Sequence, residues 1–528
     1  MQKTTKSSSF LTQAFILAFA GLFVRVIGFL YRVPMTNMLG DKGNGIYGAG
    51  FNIYNFFLIL SSAGLPAAIS RMTSTRLALF RYKSAHKVFR TSLIYAMIGG
   101  FISSLMLFFG ARFLSWVLNI PEAYYAIISL APTVFIVAVM SVFRGYFQGM
   151  NNTLPTALSQ VLEQIINAIF SIYLVFIFIG ESLELAAAGG TAATGLGALG
   201  ALLLIMFIYL TKRKTIKENI KNDETPYAIE SSKTIAKELV RTAFPIIAGT
   251  AIYSLTSLID TSMVTSRLLA SGAFTESEAT ALFGQLTGKF VTLTNLPVAI
   301  ASSMAVAIIP SISASIAIKD KKAANDKMNL AIRLAMIISI PAAFGMGIFA
   351  SEILKFLFPE APEGALLLQT GFISVIFFSL SQICTGVLQG LGQLKVPVFS
   401  AFLGCLIKIP LNFILISIPS INIVGAIIGT TVCYALAASI NAYFAYKYTG
   451  SKLDFKAVFL KPIFASIVMS VVCFIAYRLL YMVYPSNSIA LMLSIAIGGV
   501  VYIFTMFKIK GLTKQDVKFL PIIGRRIN

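Results

Sequence analysis

Phe23-Val-Arg-Val-Ile-Gly-Phe-Leu-Tyr-Arg-Val-Pro34 places two arginines within the first strongly apolar segment of the chain. Four of these positions follow the i, i+3, i+4, i+7 spacing and share one helix face: Arg25, Gly28, Phe29 and Arg32. A charge at the centre of a bilayer costs at least about 2.5 kcal/mol, so it persists only where it faces protein or water. This face is therefore predicted to meet either a cavity or a buried carboxylate, and Arg32 has a third interpretation, snorkelling to the headgroups.

The composition around this segment is that of a membrane protein. Of the 528 residues, 57% are apolar and 12% are charged, whereas soluble domains carry about 25% charged residues. The formal charge of +22 would suggest nucleic acid in a soluble protein. Here the basic residues lie between apolar segments, so we expect membrane lipids as partners and no nucleic acid.

The four cysteines each lie inside an apolar segment at no metal-ligand spacing: Cys384, Cys405, Cys433 and Cys473. They are predicted to be small buried side chains. No metal and no bound cofactor is expected.

Crossing the hydrocarbon of a bilayer takes about 20 apolar residues. Fourteen segments are predicted to do so: 10–31, 46–68, 91–111, 123–146, 156–179, 186–210, 243–267, 284–312, 330–350, 364–388, 397–418, 422–446, 457–480 and 488–507. When basic residues near a span end are counted with the adjoining loop, the 42 divide very unevenly, with 33 on the side of the N-terminus, 6 on the opposite side and 3 deep within spans. By the positive-inside rule, both termini of this multi-pass protein are predicted to be cytoplasmic, in the cell membrane.

An internal repeat relates the two halves of the chain. Arg144-Gly-Tyr-Phe-Gln-Gly-Met-Asn-Asn-Thr-Leu-Pro155 recurs as Thr385-Gly-Val-Leu-Gln-Gly-Leu-Gly-Gln-Leu-Lys-Val-Pro397. Because the offset spans six predicted helices, an even number, both copies enter the membrane in the same direction. The sequence therefore predicts a parallel repeat of two six-helix lobes around a central cavity.

The domain boundaries follow from this repeat. We predict an N-lobe at 1–210, a cytoplasmic linker at 211–241, a C-lobe at 242–446, and two extra helices with a basic cytoplasmic tail at 447–528. The fold class is thus an all-α polytopic membrane protein.

The order of the motifs resembles a known superfamily. Arg25-Val-Ile-Gly-Phe29, Gly64-Leu-Pro-Ala-Ala-Ile-Ser70 and the two Gln-Gly…Pro turns resemble the multidrug/oligosaccharidyl-lipid/polysaccharide exporter superfamily. Within it the chain is most similar to polysaccharide transport proteins of the stage V sporulation protein B-like branch, and more distantly to lipid II flippases. The resemblance implies movement of an undecaprenyl-linked oligosaccharide or peptidoglycan precursor to the outer leaflet, by alternating access and without ATP.

The resemblance also implies roles for three cations. Arg25 occupies the place of a cavity arginine, Arg32 lies about one residue from its counterpart, and Lys289 is an approximate match to a cavity cation. No residue in 51–68 matches the family's arginine in the second helix. A groove formed with the last two spans would shelter the lipid tail, and the protein is expected to work as a monomer.

The charges at membrane depth are predominantly positive. Four cations face two carboxylates: Arg25, Arg32, Lys289 and Lys408 against Glu163 and Asp260. This excess favours an anionic substrate such as a sugar diphosphate, because arginine offers phosphate a planar, permanently charged fork.

Two interpretations of Asp260 and Glu163 remain open. Either they couple transport to protons or sodium, or they are neutralised by cations and only hold helices together. Lys408 and Asn412 lie one turn apart on the eleventh span, where the lysine near Asp260 would substitute for a bound cation. The membrane potential alone is a further source of driving force.

Two other functions compete with the flippase. A small-molecule or drug antiporter would share the fold, although a positive cavity disfavours cationic substrates. A membrane glycosyltransferase or polysaccharide polymerase would require a catalytic carboxylate or metal site. The outer loops offer only scattered acids, and the single histidine, His86, lies in a basic loop, so we expect no enzyme.

Overall fold

The computed structural model describes residues 3–223, 230–450 and 453–512. The predicted basic tail beyond residue 512 and the middle of the predicted linker, 224–229, lie outside these ranges. Within them the chain is helical almost throughout and has no strand. The prediction of an all-α polytopic membrane protein is confirmed.

The helices are α1 Lys3–Ser62, α2 Leu65–Ala78, α3 Tyr82–Val117, α4 Tyr124–Gly149, α5 Leu154–Phe178, α6 Leu183–Lys221, α7 Ser232–Ala270, α8 Glu276–Gly284, α9 Val291–Ala317, α10 Lys321–Ile348, α11 Ala350–Leu357, α12 Ala365–Gly390, α13 Lys395–Leu415, α14 Val424–Thr449, α15 Lys461–Val483 and α16 Asn487–Lys508. A 3-10 turn at Pro121–Ala123 and π-helical turns at Gln285–Phe290 and Lys456–Leu460 complete the described set.

Gly40 divides α1 into two helices. Its backbone has φ 63° and ψ −175°, a combination that is open almost only to glycine. The predicted spans 10–31 and 46–68 therefore both begin in α1, one on each side of this kink.

Twelve segments of the described chain are long and apolar enough to cross a membrane. One of them, 19–78, includes part of the first helix of α1, all of its second helix and α2. The predicted span 243–267 lies in α7, where several side chains are outside the described set. A multi-pass membrane protein is thus established, and the count of fourteen spans stays a prediction.

The contacts group the chain into two compact units, one ending at Gly284 and one beginning at Gln285. In the first unit a buried cluster joins α2, α3, α4, α6 and α7, with Met72, Phe89 and Phe147 among its members. In the second, one cluster joins α9, α10, α12 and α14, and another packs α15 and α16 against Ile337 and Phe349. The division into lobes 1–210 and 242–446 stays a prediction.

The repeated glycines have the same packing role in each unit. A Cβ added to Gly145 of α4 would lie 2.8 Å from the carbonyl oxygen of Pro66 in α2. One added to Gly386 of α12 would lie 2.8 Å from the carbonyl carbon of Ala305 in α9. Both pairs of helices therefore touch through backbone, as small residues allow in membranes. This shared packing supports the predicted repeat.

A second backbone contact joins α1 and α8. A Cβ on Gly284 would overlap the carbonyl oxygen of Asp41 and would lie 2.7 Å from the amide nitrogen of Gly45. A Cβ on Gly45 would in turn overlap the carbonyl oxygen of Thr280. Neither residue can be enlarged without moving one helix away from the other.

We expect Gly284→Ala to destabilise the protein by about 1–3 kcal/mol, the usual effect of overpacking a tight contact. Thermal unfolding of the purified chain in detergent measures this as a lower melting temperature. Gly99→Ala on α3 is the matched control, because nothing lies within 4 Å of that position and alanine is the better helix former. Equal melting temperatures for the two variants would contradict the contact.

Candidate functional site

Arg25 and Arg32 lie in the first helix of α1 but in different surroundings. Arg25 is exposed on the helix surface. The guanidinium carbon of Arg32 lies 4.2 Å from the ring centroid of Tyr47, a side chain buried in the second helix of α1. Such a cation–π contact contributes about 0.5–2 kcal/mol. Arg32 therefore bridges the kink at Gly40.

A polar network lies beside Arg32. The Tyr31 hydroxyl accepts a hydrogen bond from the Asn167 amide nitrogen at 3.2 Å. The Asn167 amide oxygen accepts from the hydroxyls of Ser171 at 3.1 Å and Thr194 at 3.4 Å. Sequence reasoning missed this network, although Asn167 and Ser171 at i and i+4 in an apolar span were a signal for it. It fixes α5 and α6 against the helix that carries both arginines.

Glu163 on α5 is held by Arg144 on α4. The Arg144 Nη2 donates to the Glu163 carboxylate at 2.7 Å, and its Nε donates to the Ser159 hydroxyl at 3.0 Å. Both charged side chains are mostly buried, with 13% and 25% of their surface exposed. This geometry favours charge pairing over ion coupling for Glu163. Arg144 belongs to the last turns of α4, near the end of the predicted span 123–146.

Asp260 lies half-buried on α7, next to a contact between α7 and α1. The neighbouring Thr261 is fully buried, and its hydroxyl accepts a hydrogen bond from the Asn52 amide at 2.9 Å. One turn further along α7, the Thr265 hydroxyl donates to the carbonyl of Leu118 at 2.5 Å. Asp260 therefore lies on a stretch of α7 that hydrogen bonds hold to α1 through Thr261 and to the residue after α3 through Thr265.

Lys289 in the second unit is almost completely buried, with 2% of its surface exposed. It lies in the π-helical turn, a deviation that often occurs at functional sites. Its ammonium donates to the backbone carbonyl of Glu363 at 3.0 Å. In this structure Lys289 thus ties the turn to the loop before α12.

Lys408 and Asn412 lie on the buried face of α13, each with no exposed surface. They face α14 at Gly429, where an added Cβ would overlap the Asn412 amide oxygen and would lie 3.4 Å from the Lys408 Cγ. Lys408 and Asn412 therefore lie side by side, one turn apart, in the space left by the absence of a side chain at Gly429.

The second unit also contains a large apolar cavity of about 990 Å³. Aromatic and aliphatic side chains of α10, α12, α14 and the start of α15 line it, among them Phe344, Phe372, Ala442 and Phe459. Lys447 lies at its edge, with its ammonium 5.7 Å from the ring centroids of Tyr443 and Phe444. The cavity can hold a long hydrocarbon group, with a cation beside it.

The described residues contain no group of three or more histidine, cysteine, aspartate or glutamate side chains arranged for a metal ion. All four cysteines are buried thiols.

Comparisons with known proteins identify families and relatives that match most of the chain. The family model described as polysaccharide biosynthesis protein matches residues 10–316, and a second model, MatE, matches residues 245–414. The chain is 27% identical to stage V sporulation protein B of Bacillus subtilis (strain 168) over 523 residues, which cover 98% of this chain and 99% of the relative. It is also 27% identical to lipid II flippase MurJ of the same organism over 548 residues, covering 99% and 98%.

Among solved structures, an inward-facing multidrug resistance MATE family transporter of the MOP superfamily matches with a TM-score of 0.67. The match has 18% identity and covers 82% of this chain and 98% of that chain. The multidrug/oligosaccharidyl-lipid/polysaccharide exporter superfamily predicted from the sequence is confirmed.

We expect Glu163→Gln to lower the free energy of unfolding by about 1.5–3 kcal/mol, because it weakens a charge-assisted hydrogen bond to a buried arginine. If Glu163 only pairs with Arg144, the dependence of transport on pH and sodium should stay that of the unmodified chain. Thermal unfolding and transport assays at several pH values measure both. Glu181→Gln, at an exposed position, should leave stability unchanged, and a lost pH dependence in Glu163→Gln alone would favour ion coupling.

Proposed function

This chain belongs to the polysaccharide biosynthesis protein family, and we propose that it is a flippase for an undecaprenyl-linked sugar diphosphate. It would move an oligosaccharide or peptidoglycan precursor of the lipid II class from the inner to the outer leaflet by alternating access. The observation that carries this proposal is the similarity to a lipid II flippase over 99% of the chain. The cell membrane, with both termini in the cytoplasm, is the proposed location.

The charges support an anionic headgroup. Arg25 is the exposed cation on the helix that the family resemblance assigns to the cavity. Lys289 and Arg32, proposed with it as headgroup ligands, have contacts within the protein in this structure. We propose Arg25, the most exposed of the three, as the first contact of the diphosphate, with Arg32 and Lys289 joining it.

The apolar cavity supports a lipid-linked substrate. A water-soluble drug would not need an apolar cavity of this size. An undecaprenyl tail would need an apolar surface to bind while its headgroup crosses the membrane. Lys447 at the edge of the cavity would attract the anionic end of such a lipid. The drug antiporter of the same fold is the second candidate, and the cavity disfavours it.

The membrane potential is the proposed driving force. At about 2.3 kcal/mol per charge per 100 mV, an inside-negative potential favours outward movement of a headgroup of charge −2 by about 4–5 kcal/mol. Proton or sodium coupling through Asp260, with Lys408 and Asn412, is the alternative source. We propose a transporter without catalytic activity and without a bound cofactor, working as a monomer.

We expect Arg25→Ala to reduce flipping of lipid II in proteoliposomes by roughly tenfold or more, the effect of losing a hydrogen bond between charged groups. Arg25→Lys should keep part of the activity, since it keeps the charge but not the planar fork. Arg112→Ala removes an exposed arginine from α3 and is the matched control. Equal flipping by Arg25→Ala and the unmodified chain would contradict the assignment.

We expect Ala442→Trp, which narrows the apolar cavity, to slow flipping of an undecaprenyl-linked substrate while sparing the same headgroup on a short prenyl chain. The reason is steric, because only the long tail needs the full space. Val432→Trp on the exposed face of α14 is the control. If the variant slowed both substrates equally, or neither, the cavity would not hold the tail.

A further inference from the structure

The corner between α2 and α3 binds the region before α7 through a buried arginine. Only 6% of the surface of Arg76 is exposed. Its Nη2 donates to the carboxylates of Glu230 and Glu238, the latter at 2.6 Å, and its Nη1 donates to the carbonyl of Met72 at 3.0 Å. Glu238 lies in the second turn of α7, so one guanidinium joins α2 directly to α7.

The same corner holds both ends of the segment between α6 and α7. The backbone amide of Lys83 donates to the carboxylate of Asp223 at 2.7 Å, and the Lys83 ammonium donates to the carbonyl of Asp223 at 2.9 Å. On the other side, the Arg81 guanidinium lies 3.8 Å from the second oxygen of Glu230. Two guanidiniums thus pair with Glu230 and Glu238 near the start of α7, and Lys83 holds Asp223, just after α6, through its amide and its ammonium.

Apolar packing continues the contact below these charges. Ile235 and Leu239 of α7 are buried in the cluster that contains Met72 of α2. Further along, a Cβ on Gly64 would lie 2.7 Å from the carbonyl oxygen of Ala243, so α7 touches the start of α2 through its backbone. We call the charged set, Arg76, Arg81 and Lys83 with Asp223, Glu230 and Glu238, the cytoplasmic clamp.

We propose that the cytoplasmic clamp is a conformational latch, which holds the beginning of α7 on α2 and opens once in each transport cycle. This inference rests on the proposed function, because alternating access requires helices of the two predicted lobes to separate. α2 belongs to the predicted N-lobe, whereas α7 begins in the predicted linker, where Glu238 lies, and continues into the predicted C-lobe at 242. Movement between those lobes therefore has to break the contacts of Arg76 or bend α7 beyond them.

The burial of Arg76 at the centre of the clamp makes the clamp act as a switch. Removing one partner of a buried ion pair leaves an unsatisfied charge, so partial opening is unfavourable and the contacts are made or broken together. Glu238 is the more accessible of the two carboxylates that Arg76 binds, with 44% of its side chain exposed, compared with 23% for Glu230 and 7% for Arg76. Opening would start at Glu238, where water can replace the guanidinium.

Thiol labelling of Ile235 tests the latch. In the full chain, with its four native cysteines replaced by alanine, Ile235→Cys places a thiol at a fully buried position beneath the clamp. The labelling rate with a hydrophilic maleimide in nanodiscs then measures how often the clamp opens. We expect Glu238→Gln to raise this rate roughly tenfold, because one hydrogen bond between charged groups is weakened.

Lys237→Gln is the matched control, since Lys237 is the exposed neighbour of Glu238 on α7. It should leave the labelling rate unchanged. Glu238→Gln is chosen because its partly exposed side chain allows the variant to fold, and a melting curve checks this. In the chain with an intact clamp, adding lipid II under flipping conditions should also raise the labelling rate.

The outcomes separate the latch from the proposed substrate. If Glu238→Gln labels no faster than the control, the clamp does not hold α7 and the latch is overturned. If lipid II is flipped but labelling does not rise during turnover, the latch is also overturned, because the clamp stays closed through the cycle. If Glu238→Gln labels faster while the unmodified chain flips no lipid II, the holding contact stands and the proposed function fails.

Discussion

The structure depends on the absence of water in hydrocarbon, which leaves every buried charge to find its partner within the protein. Arg144 meets this requirement with Glu163, Arg32 with the ring of Tyr47, and Lys289 with a backbone carbonyl. The first two contacts join separate helical segments, and the third joins a helical turn to a loop. The charges that looked anomalous in the sequence therefore organise the packing, and Arg25 differs from these because it is exposed on its helix.

Close helix packing is the second consequence of the same solvent. Lipid tails compete with apolar side chains for contact, so helices associate best where small residues allow backbones to meet. Gly145 and Gly386 serve this purpose at corresponding places in the two units, and Gly284 does so at the contact between α8 and α1. These glycines fix distances between helices, whereas the aromatic side chains around them only fill space.

The sequence predicted the class of fold because composition and the uneven distribution of basic residues are properties of the whole chain. An error of a few residues in the end of one span changes neither. It also predicted that Lys408 and Asn412 lie together, since helical spacing alone determines that. It could not identify the partners of Arg144 and Arg76, which are 19 and more than 150 residues away along the chain. Nor could the sequence identify the backbone carbonyl that accepts the hydrogen bond of Lys289, because every residue has a backbone carbonyl.

Gly40 has a consequence for genetics. A Cβ added to it would meet no atom within 4 Å, so space alone would allow a larger residue there. Its backbone conformation does not, because no L-residue with a side chain adopts it readily. Any change in the first two bases of a glycine codon replaces the amino acid. The bend that brings Arg32 back onto Tyr47 therefore depends on a codon that has no conservative single-base substitute, which makes an apparently uncrowded site one of the least tolerant to missense change.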